Sequence, residues 1–408
     1  MSFNRSPTDP AHGAADFLRR FGMALIGVAL PCAAFYSRRA AILLMPLGAI
    51  LIFMGTVIDP AEPIGARLRQ FVRSSGFWIT AGLMVWAGAT VAWSPFPMPS
   101  AERFYNTLGV AAVAAAGAAA IPARMRAPAL YFLPIGAFAA VIAACLVALQ
   151  ARGVIDVAIL STEPVLAERG GAALALFTPV ALGWLLSRGR APEAAALAIV
   201  FICATFVLGD APSLLVAVIT LAAFVAARIA PRSGPLLLGA VAAALVLAAP
   251  VLPVLLDPIA RGAGLPDLAE LFRGLAASAQ QEGTRLLTGH GIETTARAVT
   301  AGILPRIDPP PLIVALWYDL GLMGAIAIAA LIVSRTRRAL DLSPDVAAAE
   351  MALICCAVAQ MFVGVAALQA WWMSSMAAAA IAVQAIAHGQ FRTRRPRARL
   401  FGQRAGEV

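Results

Sequence analysis

Residues able to move a proton or hold an anion are scarce in this chain and gather in a few short segments. The one long polar insertion, residues 257–310, carries Arg261, Arg273, Arg285, Arg297 and Arg306, with His290 inside Thr288-Gly289-His290-Gly291. Asp257, Asp267, Glu270, Glu282, Glu293 and Asp308 offset those arginines, a balance that a solvated loop of mixed charge would also show. Two more charged residues adjoin apolar runs. Arg169, in Arg169-Gly170-Gly171, puts a guanidinium at the mouth of one run, and Asp319 lies about two turns inside another, behind Trp317 and Tyr318. An ionised aspartate at the centre of a membrane helix costs about 2.5–3.5 kcal/mol, so Asp319 needs a partner, water or a proton. Trp93-Ser94-Pro95 closes an earlier run, with Glu102-Arg103 shortly after it.

The elements that position these residues follow from composition. The chain of 408 residues is 61% hydrophobic and 13% charged, with a mean hydropathy of +0.85. A soluble fold of this size could not cover such a composition with polar surface. Apolar runs of roughly 16–22 residues match the length of helix that crosses the hydrocarbon core. Twelve are read, at 21–36, 40–58, 77–93, 107–122, 129–149 and 171–186, then at 194–208, 212–228, 235–256, 311–333, 346–367 and 371–388. The predicted fold is an all-α integral membrane protein of about twelve transmembrane helices with one large periplasmic loop containing short helices. Its parts are an N-terminal tail (1–20), helices one to nine (21–256), the loop (257–310), helices ten to twelve (311–388) and a basic tail (389–408). Within the loop, Leu268, Leu271, Phe272 and Leu275 recur at helical spacing.

Arginine orients the set. All 31 basic residues are arginine, and 21 of them fall on one side when the N-terminus is placed inside. The positive-inside rule then puts both termini in the cytoplasm and the long loop outside, in a bacterial inner membrane. Arg38 and Arg39 disobey. No A-x-A-like site follows the first run, which is expected to remain as an anchor. The basic tail fits attraction to anionic membrane lipids better than binding of nucleic acid. Residues 61–73, with Ile64, Leu68, Phe71 and Val72 on one helical face and Arg67, Arg69 and Arg73 around the rest, predict an interfacial helix. All five cysteines lie in apolar runs, so no disulfide framework is expected.

No Walker-type loop, G-x-S-x-G, H-E-x-x-H or Cys/His metal spacing is present. A nucleotide-driven pump and a zinc protease are therefore unsupported, and neither a cofactor nor a metal is expected. Span centres are almost free of charge, which argues against an ion-coupled transporter built on buried carboxylates, and the lack of paired Gly/Pro-broken spans in two related halves weighs against the alternative of a lipid or glycan transporter.

Several of these segments, in this order, resemble the O-antigen ligase/polymerase superfamily of bacterial inner-membrane glycosyltransferases. Trp93-Ser94-Pro95 with Glu102-Arg103 is similar to that family's W-S-x…R element. Arg169-Gly170-Gly171 is similar to its arginine and small residues opening a mid-chain span, and Gly289-His290-Gly291 to its G-x-G near the loop's end. Asp319-Leu320-Gly321 with Gly324 resembles E-L-G-x-x-G, and Gln369-Ala370-Trp371-Trp372 resembles W-Q-x-W-W.

The resemblance implies transfer of a glycan from undecaprenyl pyrophosphate to lipid A-core or another sugar acceptor at the periplasmic face. Such a reaction needs cations at the leaving diphosphate, here Arg169, Arg285 and Arg297, and a base for the acceptor hydroxyl. Arg103 and Asp319 would support the site. Where the family shows H-x-H-N, this chain has Asp308-Pro309-Pro310-Pro311. The base therefore falls to Asp308 or His290, or the protein is a non-catalytic component of envelope-polysaccharide assembly. The topology predicts that reporters fused after Ser94, at Gln281 and at Gln403 read outside, outside and inside. A cytoplasmic Gln281 would overturn the orientation.

Overall fold

The computed structural model describes residues 10–37, 39–59, 64–156, 163–252, 283–304, 311–363 and 369–389. Helices α1 (Pro10–Ala24) and α2 (Leu30–Ala33) are joined by one π-helical turn, Leu25–Ala29. Then follow α3 (Ala40–Ile58), α4 (Ile64–Val72), α5 (Ser75–Thr90) and α6 (Pro97–Ala119), with a 3₁₀ turn, Val91–Trp93, between the last two. The chain continues through α7 (Ala127–Leu130), α8 (Phe132–Ala151), α9 (Pro164–Ser187), α10 (Ala191–Leu208), α11 (Ala211–Ile229) and α12 (Ser233–Ala248). Two short helices, α13 (Gly283–Thr288) and α14 (Thr294–Thr300), precede α15 (Leu312–Ala339), α16 (Pro344–Val363) and α17 (Ala370–Ala387). Among the described residues no strand forms, and the one isolated bridge joins Met125 to Gly389.

Nine helical stretches among the described residues are long and apolar enough to cross a membrane, namely α3, α5 with its 3₁₀ turn, α7–α8, α9, α10, α11, α15, α16 and α17. The chain is thus an all-α, multi-pass membrane protein by length and composition. The other three apolar runs are helical as well. Residues 21–36 fall largely on α1 and α2, 107–122 largely on α6, and 235–256 begin on α12, which has 16 residues.

Three sequence expectations change in detail. The tail 1–20 is helical from Pro10 onward, because Ala15, Arg19, Gly22 and Met23 form a buried stripe against α3. Arg19 can enter that stripe because Asp59, at the end of α3, accepts its guanidinium at 3.0 Å. The tenth run does not form an unbroken helix, since Gly321 interrupts α15 with φ 66° and ψ −163°. The interfacial helix expected at 61–73 ends at Val72 rather than Arg73; it is described from Ile64 as α4 and buries no residue fully. Two short helices do lie within 257–310, whereas the helix expected around Leu268 and Leu271 falls outside the described residues, as do Arg261, Arg273, Arg306 and Asp308.

The core runs the length of the bundle, with α9 and α16 packed on each other and almost wholly enclosed, α9 by α8, α10, α11 and α17, and α16 by α11, α12, α15 and α17. Lipid tails give apolar helices no hydrophobic drive to associate, so close packing of small residues has to supply it. The tightest approach is that of the π-helical turn to α8. A Cβ on Gly136 would lie 1.7 Å from the Gly27 carbonyl oxygen. Helix α6, with 23 residues, is about 34 Å long at 1.5 Å per residue. It therefore joins two opposite ends of the bundle, and α17 runs from one to the other beside it. Gly136→Ala should cost about 1–3 kcal/mol, the usual range for overpacking, and lower the melting temperature in detergent. An unchanged melt would contradict this contact.

Candidate functional site

At the end of the bundle where α6 and α15 begin, three separate stretches of chain meet. The first runs from Trp86 on α5 to Arg103 on α6, the second is residues 289–297, and the third is Tyr318 to Gly321. The meeting begins with backbone. Next to the break at Gly321, the carbonyl oxygens of residues 318–320 turn to partners outside α15. Tyr318 accepts from the His290 amide at 2.9 Å, Asp319 from the Gly291 amide at 3.0 Å, and Leu320 from the Trp86 indole at 3.0 Å. A backbone group away from water must be paired somewhere, and the loop does the pairing here. Glycine is required on both sides of this contact: Gly289 (φ 73°) and Gly321 (φ 66°) hold left-handed conformations. A Cβ on Gly289 would lie 2.2 Å from the Asp319 carbonyl oxygen.

Asp319 fixes the arrangement. Its side chain is 1% exposed and accepts from the amides of Glu293 at 2.9 Å and Thr295 at 2.8 Å, and from the Thr295 hydroxyl at 2.6 Å. The first amides of a helix have no partner within it, and a carboxylate is favoured there by the helix dipole. Asp319 thus caps α14 from another helix. Glu293, at the N-cap position with φ 70°, leaves that task to Asp319 and sends its own carboxylate to Arg103, at 2.7 and 3.0 Å in a two-pronged pair.

The remaining groups of the segment are met from the α5–α6 side. The Trp93 indole donates to the Gly289 carbonyl at 3.2 Å, the Ile292 amide donates to Thr90 at 3.3 Å, and Ser100 donates to the Ile292 carbonyl at 2.6 Å. Ser94 lies 2.7 Å from Ser100. Every amide from Gly289 to Glu293 is therefore engaged, the Gly289 amide with the Arg285 carbonyl at 2.7 Å.

His290 sits half-buried with its ring stacked on Tyr318, centroids 4.3 Å apart. Its Nδ1 is 3.2 Å from the Tyr318 carbonyl oxygen. A carbonyl can only accept, so Nδ1 is the donor in this contact, which in the neutral ring leaves the lone pair on Nε2.

A second cluster forms where α9 and α17 begin. Arg169, half-buried, lies 5.3 Å over the Trp371 ring and donates to Gln369 Oε1 at 3.1 Å; the Trp371 indole donates to the same oxygen. Next to it, Gln360 donates to the Ala172 carbonyl at 2.9 Å and accepts from the Trp372 indole at 2.7 Å. One turn beyond Arg103, Thr107 is 4.0 Å from Met373 of α17, so both clusters occupy the same end of the bundle.

Of the residues singled out by sequence, Arg103, His290 and Asp319 are brought together, and Arg169 belongs to the neighbouring cluster. Arg297 is exposed and packs over Phe96 at 5.2 Å, while Arg285 is half-buried on α13. Among the described residues no group of His, Cys, Asp and Glu side chains is placed to hold a metal ion. Sequence reasoning missed Glu293, Thr295, Ser100, Thr90 and Trp86. A signal existed for two of them: an acidic residue and two threonines directly after a glycine-rich turn mark a helix start. No protein-family model matches this chain, and no curated protein matches it.

Asp319→Ala should leave the α14 amides without an acceptor and cost about 3 kcal/mol or more, since a hydrogen bond to a charged group contributes roughly 1.5–3 kcal/mol. Arg103→Gln, at a partly exposed pair, should cost about 1 kcal/mol or less. Melting and limited proteolysis of residues 283–304 would read the difference, and equal effects would remove Asp319 from its central role.

Proposed function

We propose that this chain is an O-antigen ligase-like membrane glycosyltransferase that moves a glycan from undecaprenyl pyrophosphate to a sugar acceptor, such as lipid A-core, at the periplasmic face. One observation carries the reading. The three segments that resemble the family (Trp93-Ser94 with Arg103, Gly289-His290-Gly291, and Asp319-Leu320-Gly321) are far apart in sequence and form one hydrogen-bonded assembly. The fourth and fifth, around Arg169 and around Gln369-Trp371, contact each other at the same end.

In this reading Arg169 binds the leaving diphosphate, with Arg285 and Arg297 approaching from the loop. A planar guanidinium pairs with two phosphate oxygens and cannot lose its proton, and the Trp371 face and Gln369 oxygen hold it in place. The acceptor hydroxyl needs a base. In the neutral ring Nε2 of His290 would be the base, and Asp308, four residues before α15 in sequence, is the other candidate. Asp319 is a positioning residue, because its carboxylate is occupied by three donors.

That occupancy also favours a second reading, a non-catalytic component of envelope-polysaccharide assembly, in which the same network only holds the loop to the bundle. Envelope-glycan analysis of a deletion strain, complemented with point variants, separates the two. A transferase requires that deletion abolish glycan attachment, that Asp308→Asn or His290→Ala fail to restore it while remaining abundant, and that Arg169→Lys restore it poorly. Full restoration by the Asp308→Asn/His290→Ala double variant would favour the non-catalytic role. Unaltered glycan in the deletion strain would contradict both.

A further inference from the structure

At the opposite end of the bundle, α1, the end of α3, α4 and the loop after α6 enclose a cavity of about 300 Å³. Five guanidiniums line it, from Arg19, Arg20, Arg67, Arg124 and Arg126, against the carboxylates of Asp16 and Asp59 and the imidazole of His12. We infer that this cavity is a binding site for a phosphate-bearing anion, independent of the glycan site at the other end.

Among the described residues, the bonding within the cavity leaves positive charge over, at Arg20 and Arg124. Arg19 is 8% exposed and pairs with Asp59 at 3.0 Å, while its buried Nε has no hydrogen-bond partner. Asp59 also receives His12 at 3.3 Å, and Arg126 pairs with Asp16. Both carboxylates are thus committed. Arg67 donates to the Ile121 carbonyl and lies within the field of Asp59. Burial and the neighbouring Arg19 charge hold the Arg67 guanidinium below its ordinary pKa, with Asp59 opposing them. Arg20 and Arg124, both exposed at the rim, make no ion pair or hydrogen bond among the described residues.

Converging guanidiniums in a partly desolvated hollow recognise a compact anion with several oxygens, for which phosphate and diphosphate are the best geometric match. The volume lies at the lower bound of ligand pockets, ~300–1,000 Å³, enough for a headgroup-sized anion. The amphipathic α4 beside it, with Leu68 exposed and Arg67 turned inward, places the cavity at a membrane surface. The phosphate can therefore come from a lipid headgroup or from a soluble phosphate compound.

The test compares wild-type full-length protein with an Arg20→Gln/Arg124→Gln variant, which leaves the Arg19–Asp59 and Arg126–Asp16 pairs intact. An Arg232→Gln/Arg337→Gln variant, with two exposed arginines removed outside the cavity, controls for net charge. One arm is calorimetric titration with sodium pyrophosphate in detergent. The other is native mass spectrometry of phosphatidylglycerol retained from mixed phosphatidylglycerol/phosphatidylcholine nanodiscs. Binding of one ligand per chain, weakened about tenfold or more in the cavity variant and unchanged in the control, is the expected result. Retained lipid that pyrophosphate displaces identifies a headgroup site, and pyrophosphate binding without lipid retention identifies a soluble ligand. Absence of both, or equal weakening in both variants, would overturn the proposal.

Discussion

A carboxylate buried at the edge of an apolar bundle is costly unless something nearby needs it, and the first turn of α14 does. Asp319 and that helix solve each other's problem: the helix brings two amides and a hydroxyl, and the carboxylate brings the charge. Leaving Asp319 unpaired at a helix centre would cost about 2.5–3.5 kcal/mol. Three hydrogen bonds to a charged acceptor, at about 1.5–3 kcal/mol each, outweigh that penalty. The break at Gly321 belongs to the same solution, because it turns three carbonyls of α15 toward the loop. Without the loop those groups would face a medium with nothing to bond them. Residues 289–295 are therefore as firmly part of the bundle as the helices around them.

Much of the fold was legible because apolar length is a strong signal in a membrane chain. Among the described residues, each apolar run falls wholly or in part on a helix, and nine helical stretches are long and apolar enough to span. The helix beginning at Pro10 was not legible, since its stripe contains Arg19, whose partner Asp59 lies forty positions away. A buried ion pair between distant residues leaves no local pattern. The break in α15 was hidden for a similar reason. Gly321 stands out as part of a motif, but its left-handed backbone depends on the loop that packs against it and leaves no mark in the sequence.

The site was legible in its parts and not in its wiring. Tryptophan, serine and arginine near the end of one run, a G-x-G, and an acidic residue two turns into a later run could each be noticed alone. That Glu293 would take Arg103, leaving Asp319 to cap α14, depends on the left-handed backbone at Glu293 and on the approach of two distant segments. The two hydrogen-bonded clusters and the arginine-lined cavity lie at opposite ends, joined by α6 and α17, while the interior between them is closed mainly by apolar side chains, Trp184, Phe177 and Phe201 among them.

The central claim is that Asp319 holds the loop to α15 through the amides of Glu293 and Thr295. Hydrogen exchange across residues 289–299 measures those amides directly in the unaltered protein. Exchange should be as slow as that of the first turns of α15, because every amide from Gly289 to Glu293, and that of Thr295, has a fixed acceptor. Exchange at the rate of an open, solvated loop would contradict it.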